Sequence, residues 1–130
     1  MVITRYSQLV MPQDANVVGT LFGGQRVSWM DIAASKSVHR FLKDTEAELA
    51  LTRAIDAIEF KEPVYVGNWV NFESKVTKAG SSSIIIQINA YKESHKINKI
   101  LACKALFTFV SVKKNEEGTF EKIHHNKLVK

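Results

Sequence analysis

The chain has 130 residues, of which 45% are hydrophobic and 24% charged, with a formal net charge of +5 and a sequence pI of about 9.4. That is the length of one domain and the composition of a globular one, and a single cysteine, Cys103, excludes an internal disulfide framework. No charged leader followed by an apolar run opens the chain, and no apolar stretch is long enough to cross a bilayer, so the expected compartment is a reducing cytoplasm. The basic balance admits polyanionic partners such as nucleic acid, anionic lipid or a phosphorylated cofactor, but small soluble proteins carry as much charge for solubility alone.

The chain is read as one domain over residues 1–130, modest enough in core that oligomerisation would be a natural way to bury more surface. A short strand comes first. Residues 24–42 then form the one long helix, with Val27, Met30, Ala34, Val38, Phe41 and Leu42 gathered into an apolar stripe at about 100° per residue. Lys36, Arg40 and Lys43 fall on the opposite face together with Trp29, which therefore calls for a second surface to cover it. Asp31 lies inside the stripe, between the directions of Val38 and Leu42.

After the helix the period changes to two. Residues 50–60 form a strand, and Pro63 with Gly67 marks the turn that follows. In residues 68–78, Val70, Phe72 and Val76 point one way, while Trp69, Asn71, Glu73 and Lys75 point the other. Short links join this segment to strands at 83–91 and 100–112, giving an antiparallel meander. The run Ile84, Ile85, Ile86 implies a strand covered on both faces, and residues 113–130 read as a polar, loosely ordered tail. The layout is α+β, with the helix packed on an antiparallel sheet.

The chemistry concentrates in "MPQDANVVGTLFGGQRVSWMDIAAS". Gly23 and Gly24 sit where the helix begins, so their N–H groups lack helical acceptors and their missing side chains let a ligand approach the backbone. Free amides at the positive end of a helix dipole suit a developing oxyanion. Asp31 follows Gly24 by roughly 10 Å along the axis, at 1.5 Å per residue. A carboxylate in an apolar stripe is costly unless paired, hydrated or used, and hydrolysis would use it as a general base or as a nucleophile. Taken singly, a Gly-Gly pair also makes a plain turn, and a helical Asp also bonds a neighbouring backbone or an arginine. The spacing makes a candidate site and no more.

This stretch resembles the signature of hotdog-fold acyl-CoA thioesterases, specifically the YciA-like bacterial acyl-CoA hydrolases, which are similar to the brain-type cytosolic acyl-CoA hydrolase of animals. The resemblance extends through "FKEPVYVGNWVNFESKVTKAGSSSIIIQINAY" and covers most of the chain to about Val112. It implies a hotdog fold, a long central helix wrapped by a curled antiparallel sheet, and the hydrolysis of acyl-CoA to free CoA and a carboxylic acid. By resemblance, Asp31 matches the acid that activates water or attacks the thioester carbonyl, and Asn16 matches the polar residue that holds water or substrate, supplied by the neighbouring subunit. The amides of Gly23 and Gly24 match the pair that polarises the carbonyl, and Gly80, Ser81, Ser82 and Ser83 occupy the turn placed near the CoA arm. The resemblance further implies a homo-oligomer with sites at a dimer interface, assembled as a trimer of dimers, which would also cover Trp29. It implies no metal, no redox cofactor, no nucleic acid and no membrane as partners.

The residues themselves keep a second reading of the serines open, as a tight hairpin turn. Lys78 and the tail lysines could pair with CoA phosphates. Three positions depart from the family pattern: Phe22 stands where many relatives have His, Asn68 where Asp is usual, and Ser35, one turn beyond Asp31, could bond it. Cys103 reads as a small core residue, His39 and His95 as surface residues, and the adjacent His124 and His125 lack partners at metal-ligand spacing. Hydratases on this fold need a histidine beside the acid, and none lies near Asp31 in sequence. The alternatives are a non-catalytic acyl-CoA-binding or sensing hotdog protein, or a basic nucleic-acid-binding module, whose only basic helix face would be Lys36, Arg40 and Lys43.

Overall fold

The computed structural model describes residues 2–129. In chain order come β1 (Thr4–Leu9), a 3-10 turn (Pro12–Asp14), α1 (Gly23–Phe41), β2 (Leu49–Phe60), β3 (Trp69–Ala79), β4 (Ser83–Ser94), β5 (Ile97–Lys114) and β6 (Phe120–Lys122). The short strand, long helix and four long strands stand close to where the periodicities put them; β6 is additional.

The sheet is antiparallel throughout, in the order β1-β3-β4-β5-β2, with β6 paired to the end of β5. Helix α1 touches β1, β2, β3, β4 and β5, so the sheet wraps it in the arrangement the resemblance implied. Alternation decides which side chains face the helix. Val70, Phe72, Ile84, Ile86, Ile88, Phe107 and Phe109 are buried, and each such side chain contributes about 1.5–3 kcal/mol on leaving water. Ile85 is only half-buried, so within one chain β4 is covered on a single face, not on both.

Two expectations change. The helix buries Arg26, Trp29, Met30, Ala33, Ala34, Ser37 and Val38, an arc of roughly 180° at 3.6 residues per turn, turned away from the expected stripe. Trp29 therefore belongs to the core of its own chain, with its ring edge-on to Phe72 at 6.5 Å, and needs no second subunit to cover it. A curled sheet covers more of a helix than a flat one, which a narrow stripe does not anticipate.

The tail is the second change. β5 runs on to Lys114, β6 returns along it, and Ile123 N–H donates to Ser111 O at 3.0 Å. Beyond it His125 is buried against the β3–β4 turn. Hydrogen bonds to the sheet hold a segment whose polarity suggested looseness.

Two loops sit at the mouth of the helix. Residues 15–21 and 61–68 are joined by a bridge between Thr20 and Tyr65, by Leu21 N–H to Val64 O at 2.7 Å, and by Val66 N–H to Gly19 O at 3.2 Å. Gly19, at φ +82°, takes a left-handed turn that other residues resist. Among the described residues, no helix is long and apolar enough to cross a membrane.

Candidate active site

The helix starts where its sequence says it should. Phe22 is its N-cap and offers no side-chain acceptor, and the first backbone donor bonded back into the helix is Arg26 N–H, to Phe22 O at 3.0 Å. The N–H groups of Gly23 and Gly24 are thus left facing outward. A Cβ built on Gly24 would meet nothing within 4 Å, and one on Gly23 would meet only the Phe60 ring at 3.6 Å. The backbone is therefore open to approach on the Cβ side of Gly24, while the Phe60 ring stands against Gly23.

Asp14 fixes this end of the helix. Its buried carboxylate accepts from Met11 N–H at 2.9 Å and from Gln25 Nε2 at 3.1 Å, while its carbonyl accepts from Phe22 N–H. Two residues on, Asn16 organises the loop that follows. Its Oδ1 accepts from Val18 N–H and Thr20 N–H, both at 3.1 Å, and its Nδ2 donates to Thr20 Oγ1 at 2.7 Å. Within one chain Asn16 is engaged in its own loop, and among the described residues no hydrogen bond joins it to Asp31.

Asp31 lies at the border of the buried arc, half-exposed, and turns toward β2. There Thr52 Oγ1 donates to Asp31 Oδ1 at 2.7 Å, fixing one carboxylate oxygen, and among the described residues no donor reaches the other. Ser35 bonds the Asp31 carbonyl at 2.8 Å rather than its carboxylate. Asn68 closes its own turn, its Oδ1 accepting from Tyr65 N–H at 3.0 Å.

The Gly80–Ser83 turn is closed by Gly80 N–H to Ser83 O at 3.0 Å. Gly80 and Ser81 are exposed, Ser83 is half-buried and Ser82 is buried. The three serine carbonyls are all engaged inward, by His125 N–H, Ser111 N–H and Gly80 N–H. What the turn can offer a ligand is its solvent side.

A buried guanidinium lies beneath the helix mouth. Arg26 is 4% exposed, stacks over Phe60 at 5.3 Å, and donates through Nη1 to Glu62 O at 3.1 Å and Ala102 O at 3.2 Å. Its Nε has no hydrogen-bond partner among the described residues, and burial lowers its pKa from the ordinary arginine value. Cys103 is fully buried beside Met30 Sδ at 3.6 Å, the small core residue expected, and burial raises its thiol pKa although the Arg26 guanidinium pulls the other way.

Arg26 and Thr52 are the residues that sequence reasoning passed over, and His125 was weighed only as a metal ligand. Thr52 carries no local signal, since only the register of β2 against α1 brings it to Asp31. Arg26 stands outside the expected apolar stripe, and only the rotation of the buried arc brings it into the core.

Residues 18–98 match the model of the thioesterase superfamily. The chain belongs to that family. Among curated relatives of this thioesterase-superfamily chain, an uncharacterized acyl-CoA thioester hydrolase of Zymomonas mobilis is 30% identical over 105 residues, covering 80% of this chain and 68% of that protein. Acyl-coenzyme A thioesterase 11 of Mus musculus is 36% identical over 106 residues, covering 81% of this chain but 17% of its own length. Among solved structures, a hexameric thioesterase from Yersinia pestis superposes with a TM-score of 0.77 at 29% identity, covering 91% of this chain and 92% of that one. Such a likeness at comparable length identifies the wrapped helix as the hotdog fold.

Proposed function

We propose that this thioesterase-superfamily chain hydrolyses acyl-CoA thioesters to free CoA and a carboxylic acid. The observation that carries the reading is the pairing, on one helix, of an uncapped Gly23–Gly24 N-terminus with a half-exposed carboxylate, Asp31, held by Thr52. The relatives named acyl-CoA thioester hydrolase and acyl-coenzyme A thioesterase support the substrate class.

In this reading the thioester carbonyl oxygen faces the Gly23 and Gly24 amides, whose positive helix end stabilises charge as it develops. Asp31 takes a proton from water as it attacks, or attacks directly to give a mixed anhydride that water then cleaves. Either way the C–S bond breaks, CoA thiolate leaves and takes up a proton, and a carboxylate remains. The Thr52 hydroxyl keeps Asp31 in one orientation. The reading needs no metal or redox cofactor, because a carboxylate and backbone amides supply base and polarisation. It assigns no nucleic-acid or membrane partner, and it puts the reaction in the cytoplasm.

Assembly enters because one chain leaves parts of this apparatus apart. β2 is an edge strand with Leu49 and Leu51 exposed, and exposed apolar edges of this kind invite pairing with a second copy. Val17, fully exposed in the Asn16 loop, is a second uncovered apolar point. A homodimer would bring the partner's Asn16 loop toward Asp31, and a trimer of dimers would follow the hexameric Yersinia relative. The CoA arm would then run over the solvent side of Gly80, Ser81, Ser82 and Ser83.

The test is thiol release from acyl-CoAs between acetyl and palmitoyl, comparing wild type with Asp31→Asn. Wild type should turn over at least one chain length, and the variant should lose about 10²–10⁴-fold in kcat with its fold intact. An Asp31→Asn protein as active as wild type would remove the acid from the mechanism. A silent wild type that still binds CoA would leave a sensor.

A further inference from the structure

A lysine sits on the buried face of the sheet. Along β4 the buried positions are Ile84, Ile86, Ile88, Ala90 and Lys92, so alternation carries a cation to a place where every earlier residue is apolar. Its neighbour across the ladder, Val70, is fully buried. The Lys92 side chain is 8% exposed, and its Nζ donates to Pro63 O at 2.7 Å. The Glu62 carboxylate, half-exposed, stands 4.0 Å away and the Tyr65 ring 5.8 Å away. A hydrophobe at this position would continue the core, whereas a buried ammonium with one close acceptor is costly. Its single strong bond therefore calls for a use.

That use lies in where Pro63 leads. β2 ends at Phe60, and beyond it the inward carbonyls need donors from elsewhere. Consecutive carbonyls are taken by different elements: Glu62 O by Arg26 Nη1 of α1 at 3.1 Å, Pro63 O by Lys92 of β4, and Val64 O by Leu21 N–H at 2.7 Å. Leu21 belongs to the Asn16 loop. Its neighbour Thr20 donates its N–H to Asn16 Oδ1 at 3.1 Å and accepts from Asn16 Nδ2 at 2.7 Å and from Asn16 N–H at 2.9 Å. The far end of the 61–68 loop is pinned separately, by Gly67 N–H to Val10 O at 2.9 Å. Lys92 thus holds the near end, one residue from the bond that registers the Asn16 loop.

We propose that Lys92 is a positioning residue for the hydrolysis: its buried ammonium fixes Pro63 and, through the 61–68 loop, sets the place of the Asn16 amide. This rests on the reading above that Asn16 serves the reaction at Asp31. Lys92 touches no reacting atom and acts only through the loop. A shift of about 1 Å in a group that orients reactants can cost on the order of 10²-fold in rate, so a partial release of the loop is enough to register. The effect falls on kcat, because the displaced amide serves the reacting centre and not the CoA arm.

The experiment measures kcat and KM for butyryl-CoA in the full-length wild type, Lys92→Met, Asn16→Ala and the double variant. Amide hydrogen exchange is followed in wild type and Lys92→Met. Methionine keeps an apolar stem and removes the charge and the donor. Lys92→Met should lower kcat about tenfold with KM within about twofold, and should cost less than about twofold once Asn16 is alanine. The amides of Thr20, Leu21 and Val66 should exchange about tenfold faster while those of Phe107 and Phe109 keep their wild-type rates, since a general loosening of the fold would move both sets. Wild-type kcat in Lys92→Met would overturn the proposal. An equal loss in both Asn16 backgrounds would also overturn it, by taking Asn16 out of the path. Should Lys92→Met fail to fold, Lys92→Gln, polar and one bond shorter, is judged by the same outcomes. If wild type turns over no acyl-CoA, the thioesterase reading fails, and if Asn16→Ala is as active as wild type, the role of Asn16 fails and the catalytic half of the proposal with it. In either case exchange decides the brace by itself: unchanged rates at Thr20 and Leu21 in Lys92→Met would refute it.

Discussion

Arg26 offers a sharp test of what holds the mouth of the helix, because two substitutions there have opposite expectations. The guanidinium is 4% exposed with no carboxylate partner among the described residues, so the folded chain bears the desolvation of a full charge, on the order of several kcal/mol. Against this stand two charge-assisted bonds from Nη1, each worth about 1.5–3 kcal/mol. Ala102 O also accepts from Lys61 N–H at 2.8 Å and Glu62 N–H at 3.2 Å, so removing the guanidinium orphans only Glu62 O. The costs and gains of the head group nearly cancel. The apolar stem remains, buried with the rest of the side chain, and deleting it opens a cavity worth about 2–5 kcal/mol. Arg26→Met keeps the stem and should melt within about 3 °C of wild type, whereas Arg26→Ala should melt on the order of 10 °C lower, at roughly 3–4 °C per kcal/mol for a chain of this size. Melting would be followed by circular dichroism at one fixed protein concentration, since association shifts the apparent midpoint. If Arg26→Met falls as far as Arg26→Ala, the charge itself stabilises the fold and the desolvation argument is wrong.

Two further outcomes follow from the same geometry. Thr52→Val should lower kcat for acyl-CoA hydrolysis about tenfold while leaving the melting temperature within about 1 °C, because it removes a donor to Asp31 at an exposed position; full activity would show that Asp31 needs no such orientation. Cys103 supplies a pH signature: its folded thiol pKa is raised above the ordinary 9.0, so its contribution is fully present below that value and is lost as the unfolded thiol ionises above it. Urea titrations at pH 7 and pH 10 should therefore show wild type losing more stability than Cys103→Ala over that interval, and an equal loss would mean that the thiol is not protected from ionisation.

How far the sequence carried depends on which signal each feature rests on. Period-two alternation placed Val70 and Phe72 inside correctly because β3 is regular as far as Val76, and a buried sheet face punishes any slip by one residue. The position of Gly-Gly and its acid on one helix was equally legible, being a matter of spacing along a single element. Trp29 was misplaced because the width of a helix's buried face is set by the curl of the sheet around it, which is a tertiary quantity. The tail was misread for a related reason. Its strength lies in backbone bonds to Ser111 and Ser81 and in one imidazole with both nitrogens committed, none of which polarity or hydropathy records.

Thr52 marks the deeper limit. A strand read by strict alternation assigns each residue to one face, yet β2 shifts register against β5 between Thr52 and Ala54, and again between Asp56 and Glu59, where Ala57 takes φ +51°. Each irregularity re-aims the side chains beside it, and strands are commonly interrupted in this way next to reactive groups. The first shift falls at the residue that bonds Asp31, so the feature that hid Thr52 from the pattern is also what accompanies its hydroxyl's approach to the carboxylate. A regular β2 would have been easier to read and would have carried Thr52 on a strict two-residue alternation. In this chain the acid is legible along a single helix, whereas the group that orients it sits on the strand residue at which the two-residue period breaks.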